Sequence, residues 1–202
     1  MTKRLVLALV VLAMAFSATA AVADQIDFNF AGGPGGSYTF TGSGTFSGTE
    51  SPLTVHEVNP IAGPNISMGS SVLTWTTGAY TGTVGGTANF AAGGTVTVSG
   101  CGGTCFLGTF TGAQFDVANL LFYSTFVAGN VDPSVWTLVG LPALPSGATG
   151  TISANLGSYN GRGGAIASGD LTLTRVPEPT SLALLGSGLL LAGSVMRRKL
   201  SL

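Results

Sequence analysis

Thr151-Ile152-Ser153-Ala154-Asn155-Leu156 decides the fold class, with an apolar side chain at every second position and hydroxyl or amide side chains between. Successive side chains of a strand point to opposite faces, so a period of two marks a strand with one face buried and one wet. The same pattern recurs on both sides of this stretch. Leu171 and Leu173 alternate with Thr172 and Thr174, Val96 and Val98 with Thr95 and Thr97, and Leu73 and Trp75 stand among Val72, Thr74 and Thr76. Nearer the N-terminus, Ile26, Phe28 and Phe30 alternate with Asp27 and Asn29, and Tyr38 and Phe40 with Thr39 and Thr41. The apolar members predict an interior containing Ile26, Phe28, Tyr38, Phe40, Leu73, Trp75, Val96, Val98, Phe110, Ile152, Leu171 and Leu173.

Between these runs lie Gly32-Gly33, Gly85-Gly86, Gly93-Gly94, Asn160-Gly161 and Gly163-Gly164, the residues that tight turns demand. Glycine reaches 32 of 202 residues. A disordered Gly/Ser linker would lack the interleaved Phe, Tyr, Trp and Val. Threonine suits the outward positions, because its branched Cβ packs on a pleated surface while its hydroxyl stays in water. The expectation is an all-β domain of eight to eleven short strands, a β-sandwich or jelly roll. A β-solenoid would need a fixed repeat period, and none is found. Val117 to Phe126 is a continuous apolar run readable as a central strand or as one helix. Pro142, Pro145 and Gly147 mark a late loop, and Arg175 to Pro179 reads as the linker that leaves the domain.

Charge excludes several functions. Charged residues are 7% of the chain, against about 25% in ordinary soluble domains. Between Asp24 and Arg175 the acids are Asp24, Asp27, Glu50, Glu57, Asp116, Asp132 and Asp170, and the only bases are Arg162 and Arg175. Nucleic acid as a partner requires clustered Lys and Arg to release counterions, so it is excluded as a partner. No lysine occurs in that span, so a Lys–Asn isopeptide cross-link cannot form in the domain.

The two ends carry the addresses. Lys3 and Arg4 precede the apolar run Leu5 to Phe16, and small residues follow up to Asp24. A basic start, about a dozen apolar residues and an A-x-A site describe a secretory signal peptide. Ala18-x-Ala20 and Ala21-x-Ala23 both fit, and cleavage after Ala23 is favoured because the first strand pattern begins directly afterwards. The run is short for an uncleaved membrane anchor. Residues 1–23 are thus assigned to the signal, as a helix, and 24–175 to the β domain.

Residues 176–202 hold Val176-Pro177-Glu178-Pro179, an apolar stretch ending at Met196, and Arg197-Arg198-Lys199. As a helix, Thr180 to Met196 would measure about 25 Å, at the short end of what spans a bilayer core. Three bases beyond it would stay in the cytoplasm and leave the domain on the exported side. The Pro-Glu-Pro box, short Gly-containing apolar segment and basic end together resemble the PEP-CTERM sorting signal. The resemblance covers Val176 to Leu202 and says nothing about the domain. It implies a Gram-negative bacterium that makes exopolysaccharide, an inner-membrane precursor, and an exosortase, a membrane cysteine protease, as the partner that recognises Val176, Pro177, Glu178 and Pro179. Mechanically, the prolines also keep this stretch out of helix.

Cys101-Gly102-Gly103-Thr104-Cys105 is the one covalent device. In an exported chain the two cysteines are expected to form a disulfide across a tight turn, the glycines permitting the bend. So small a closed loop gives only about 2 kcal/mol, enough to staple a hairpin. The setting does not suit a redox dithiol, and the chain offers too few ligands for zinc.

A search for catalysis mostly eliminates. His56 is the only histidine, and no G-x-S-x-G elbow exists to partner it. The glycine pairs lack the aspartates of calcium-binding repeats, so no metal site and no cofactor are assigned. Two classes of function compete. The first is a noncatalytic cell-surface or matrix protein associated with extracellular polysaccharide or biofilm, for which Trp75, Trp136, Tyr80, Tyr123 and Tyr159 are candidate stacking surfaces wherever they are exposed. The second is an exported hydrolase built on two carboxylates, such as a glycosidase. An enzyme should show two acids converging in a pocket. A binding module should show an aromatic on a flat face. The first class is preferred, with no catalytic residue assigned.

Overall fold

A computed structural model describes residues 25–31, 36–59, 66–141 and 147–175. Among them run thirteen strands and one short helix: β1 Gln25–Ala31, β2 Ser37–Thr39, β3 Ser47–Glu50, β4 Thr54–Asn59, β5 Ile66–Ser67, β6 Val72–Thr77, β7 Tyr80–Val84, β8 Thr87–Phe90, β9 Gly94–Ser99, β10 Thr104–Asp116, β11 Leu121–Val131, α1 Pro133–Leu138, β12 Ala148–Leu156 and β13 Gly163–Arg175. The all-β class is as expected. The count exceeds eight to eleven because β2, β3 and β5 are only three, four and two residues long.

The hydrogen-bonded path runs β12–β11–β10–β9–β6–β3–β2–β13, and β13 returns to β12, closing an eight-stranded barrel. Period-two alternation says which face is buried but not whether a sheet closes, so it could not separate this barrel from the expected sandwich or jelly roll. Two long strands fork. The first half of β10 pairs with β9 and its second half with β8, which carries β7. Gly163–Ala165 of β13 pair with β2, while Ser168–Thr174 pair with β1, which carries β4 and β5. These forks extend the wall of β10, β11, β12 and β13 into one broad outer face.

All twelve residues expected inside are buried, joined by Phe46, Phe106, Phe115, Phe122 and Phe126. Phe46 stacks on Phe122 with centroids 4.5 Å apart, and Trp75 lies against the same ring at 5.9 Å. Glycine makes room for these rings. A Cβ on Gly48 would come within 2.2 Å of the Trp75 ring, and one on Gly150 within 2.4 Å of Phe126. Buried hydroxyls close the seams. Thr77 Oγ1 accepts from Phe46 N at 2.9 Å and donates to the Gly78 carbonyl.

Turn chemistry follows the residues. Gly85 and Gly86 adopt φ of 59° and 87° between β7 and β8, the two positive values a two-residue hairpin needs. The ambiguous run Val117 to Phe126 divides into a turn and the first part of β11. At the other end of β11, Asp132 accepts from Ser134 N and caps α1, with Pro133 at its start. Arg175 departs from the expected linker. It is the last residue of β13, paired with Ala148, and its guanidinium lies 4.3 Å above the buried Trp136 ring. The loop expected around Pro142 and Pro145 lies outside the described residues.

Candidate functional site

The outer face of β10, β11, β12 and β13 is built from the polar half of each alternation. Register sets these residues in rows. Thr125 stands opposite Thr151, which stands opposite Thr172, which faces Asp27 across β1. The next row runs Asn89, Gln114, Tyr123, Ser153, Asp170 and Asn29. Directly opposed side chains have Cβ atoms about 5 Å apart, close enough to act together.

Two adjoining depressions cross this face. One of about 420 Å³ is lined by Asn89, Thr111, Gln114, Tyr123, Thr125, Thr151 and Ser153, with Phe90, Gly112, Ala113, Ser124 and Ile152 beneath. The other, of about 320 Å³, shares Thr111, Thr125 and Thr151 and continues to Gln25, Val127, Thr149, Thr172 and Thr174. A bulge between Phe110 and Gly112 interrupts the β10–β11 ladder there, bending the wall beside Thr111. The Thr111 hydroxyl bonds to that of Thr125. Gln114 Nε2 donates to Asn89 Oδ1 at 2.9 Å, and Asn89 Nδ2 to the Thr87 carbonyl at 3.1 Å, so both amides are held in place. Among the described residues, no Asp, Glu, Lys or Arg lines either depression.

Of the aromatic candidates, Trp75 and Trp136 are buried, Tyr80 and Tyr159 are half-buried, and Tyr123 stands 44% exposed in the lining of the groove. Tyr38, by contrast, serves the interior. It donates to the Ser158 carbonyl, and burial, followed by the nearby Tyr159, pushes its hydroxyl up to about 12.

The described acids are tied to local structure. Asp116 accepts from the Asn119 backbone N–H and side chain and from Ala118 N, which hold its carboxyl below the usual range. The Ser134 side chain and then its backbone N–H do the same for Asp132. Asp27 accepts from Thr172 Oγ1 at 3.2 Å. Asp27 and Asp170 lie diagonally on the β1–β13 surface, but neither lines a depression. His56 faces Asp27 in the β1–β4 register, and its side chain lies outside the described set. Among the described residues no three of His, Cys, Asp and Glu gather as a metal site.

Cys101 and Cys105 form the expected disulfide, with Cα atoms 5.3 Å apart across the β9–β10 turn. Gly100 N donates to the Gly103 carbonyl inside it. The other sites assigned from sequence lie outside the described residues: Ala21 and Ala23, Val176 to Pro179, the segment 180–196, and Arg197, Arg198 and Lys199. No helix among the described residues is long and apolar enough to cross a membrane.

Comparison with known families meets the chain at its C-terminus. Residues 175–199 match the family model of the PEP-CTERM protein-sorting motif. The match includes the Pro-Glu-Pro box and the basic triplet. Such a motif marks an exported protein with a membrane-anchored precursor, processed by the membrane protein exosortase. No curated protein and no solved structure matches the chain.

Proposed function

We propose that this chain is a noncatalytic cell-surface or matrix protein of a Gram-negative bacterium, sorted by exosortase and associated with exopolysaccharide. The match of residues 175–199 to the sorting motif carries the reading. Signal peptidase would cut after Ala23, and the segment from Thr180 to Met196 would hold the precursor in the inner membrane with Arg197, Arg198 and Lys199 inside. The Pro-Glu-Pro box then lies at the outer interface, its prolines keeping the backbone extended for a protease and Glu178 resisting entry into the bilayer. The described residues lining the outer groove include no acid, which supports a noncatalytic domain over a carboxylate hydrolase, since the latter requires two acids flanking one bond.

The test is an immunoblot of membrane and released fractions from a host that possesses exosortase. Pro177→Ala, Glu178→Ala and Pro179→Ala combined should leave an uncleaved, membrane-bound precursor. Equal processing of wild type and variant would reduce the tail to a plain anchor.

A further inference from the structure

We propose that the groove across β10, β11 and β12 binds a neutral, extended polysaccharide, with Tyr123 as the stacking platform and Gln114 and Ser153 as flanking hydrogen-bonding groups. The inference rests on the reading of the domain as exposed to exopolysaccharide, and it assigns the site. Three observations converge on it.

The first is the register. Tyr123 stands directly between Gln114 on β10 and Ser153 on β12. A sugar ring offers an apolar C–H face and a rim of hydroxyls. A flat aromatic ring answers the face, and an amide on one side with a hydroxyl on the other answers the rim. The second is preorganisation. Because Gln114 is already bonded to Asn89, its amide loses little freedom on binding, and its Oε1 and second N–H are not used in that bond. The third is continuity. The two depressions share Thr111, Thr125 and Thr151, so the polar track runs from β10 to β13. Three strand spacings of about 4.8 Å make it about 14 Å long, longer than one ring needs.

Chemistry narrows the occupant. With no charged side chain among the described residues of the lining, a polyanion finds no counter-ion and nucleic acid no phosphate partner there. An added peptide strand bonds to a sheet edge, and this is a face whose strands are paired on both sides. Six hydroxyl-bearing threonines in the two linings make a poor bed for lipid tails. A neutral polyhydroxylated chain satisfies every group present.

The test is native affinity electrophoresis of the full chain in mild detergent, through gels containing hydroxyethyl cellulose, galactomannan, dextran or the polyanion alginate. At least one neutral polymer should retard the wild type more than alginate does. Tyr123→Ala should raise the half-retarding polymer concentration about threefold or more, from loss of one stacked ring. Tyr123→Phe keeps the ring and should stay below that shift, as should Val84→Ala, which alters an exposed apolar residue at the end of β7 that lines neither depression. Retardation by no neutral polymer, stronger retardation by alginate, or a smaller shift for Tyr123→Ala would overturn the proposal. A chain that is sorted normally yet retarded by no neutral polymer ends this inference and leaves the sorting reading standing. Failure of the processing blot leaves the binding assay intact.

Discussion

At the scale of single residues, the alternation is faithful and the glycines are not self-explanatory. Every apolar position read from period two lies inside, because each strand of a closed wall has one face toward the core. The notches are another matter. Gly48 sits under Trp75, on a different strand, and nothing in Ser47-Gly48-Thr49 announces that ring. Trp75 cannot swing away, since it is buried and stacked on Phe122. Gly48→Val should therefore destabilise by about 1–3 kcal/mol through overpacking. Gly129, on β11, has nothing within 4 Å of its would-be Cβ, so Gly129→Ala should be neutral or slightly stabilising. Urea unfolding followed by tryptophan fluorescence separates the two. Equal midpoints would show that the Trp75 ring is free to move.

Among elements, what was legible depended on whether the signal was local. The Gly85-Gly86 hairpin and the Cys101–Cys105 turn carry their geometry in adjacent residues, and both were readable. Helix α1 was missed although Asp132-Pro133 is an N-cap followed by proline, because six residues give no helical period. The run from Val117 likewise concealed its turn, whose local sign was Asp116 with Asn119 three residues on. These two aspartates predict a pH response. Hydrogen bonds lower both carboxyls in the fold, whereas an unfolded Asp titrates near pH ~3.9. Their contribution is thus full above that value and is lost as pH falls through the folded values. The urea midpoint should drop on acidification below about pH 4. It should drop less in Asp116→Asn combined with Asp132→Asn, which keeps an acceptor oxygen but removes the titration. Parallel curves for the two proteins would show that these turns contribute nothing to the acid response.

For the whole molecule, closure is the property the sequence hid, since period two is silent on which strands pair, and the forks of β10 and β13 join segments far apart in the chain. β13 matters most. It seals the barrel against β12, receives β2 at its start, and along Ser168–Thr174 holds β1, the link to β4 and β5. Its last residue, Arg175, is still paired and stacked on Trp136, so the fold uses the chain up to the point where the sorting motif begins. A chain ending after Arg175 keeps every one of these contacts and should be exported as a protease-resistant domain without a membrane anchor. A chain ending after Asp170 loses five residues, including the fully buried Leu171 and Leu173. Those two side chains alone contribute about 3–6 kcal/mol of burial. The ladder residues to β1 and β12 go with them, and the total reaches the 5–15 kcal/mol by which a domain of ordinary stability exceeds its unfolded state. That shorter chain should be degraded or aggregate. Limited proteolysis of the exported material reads both outcomes. Equal resistance of the two chains would mean that the barrel closes without the end of β13, and loss of resistance in both would mean that the fold depends on residues beyond Arg175.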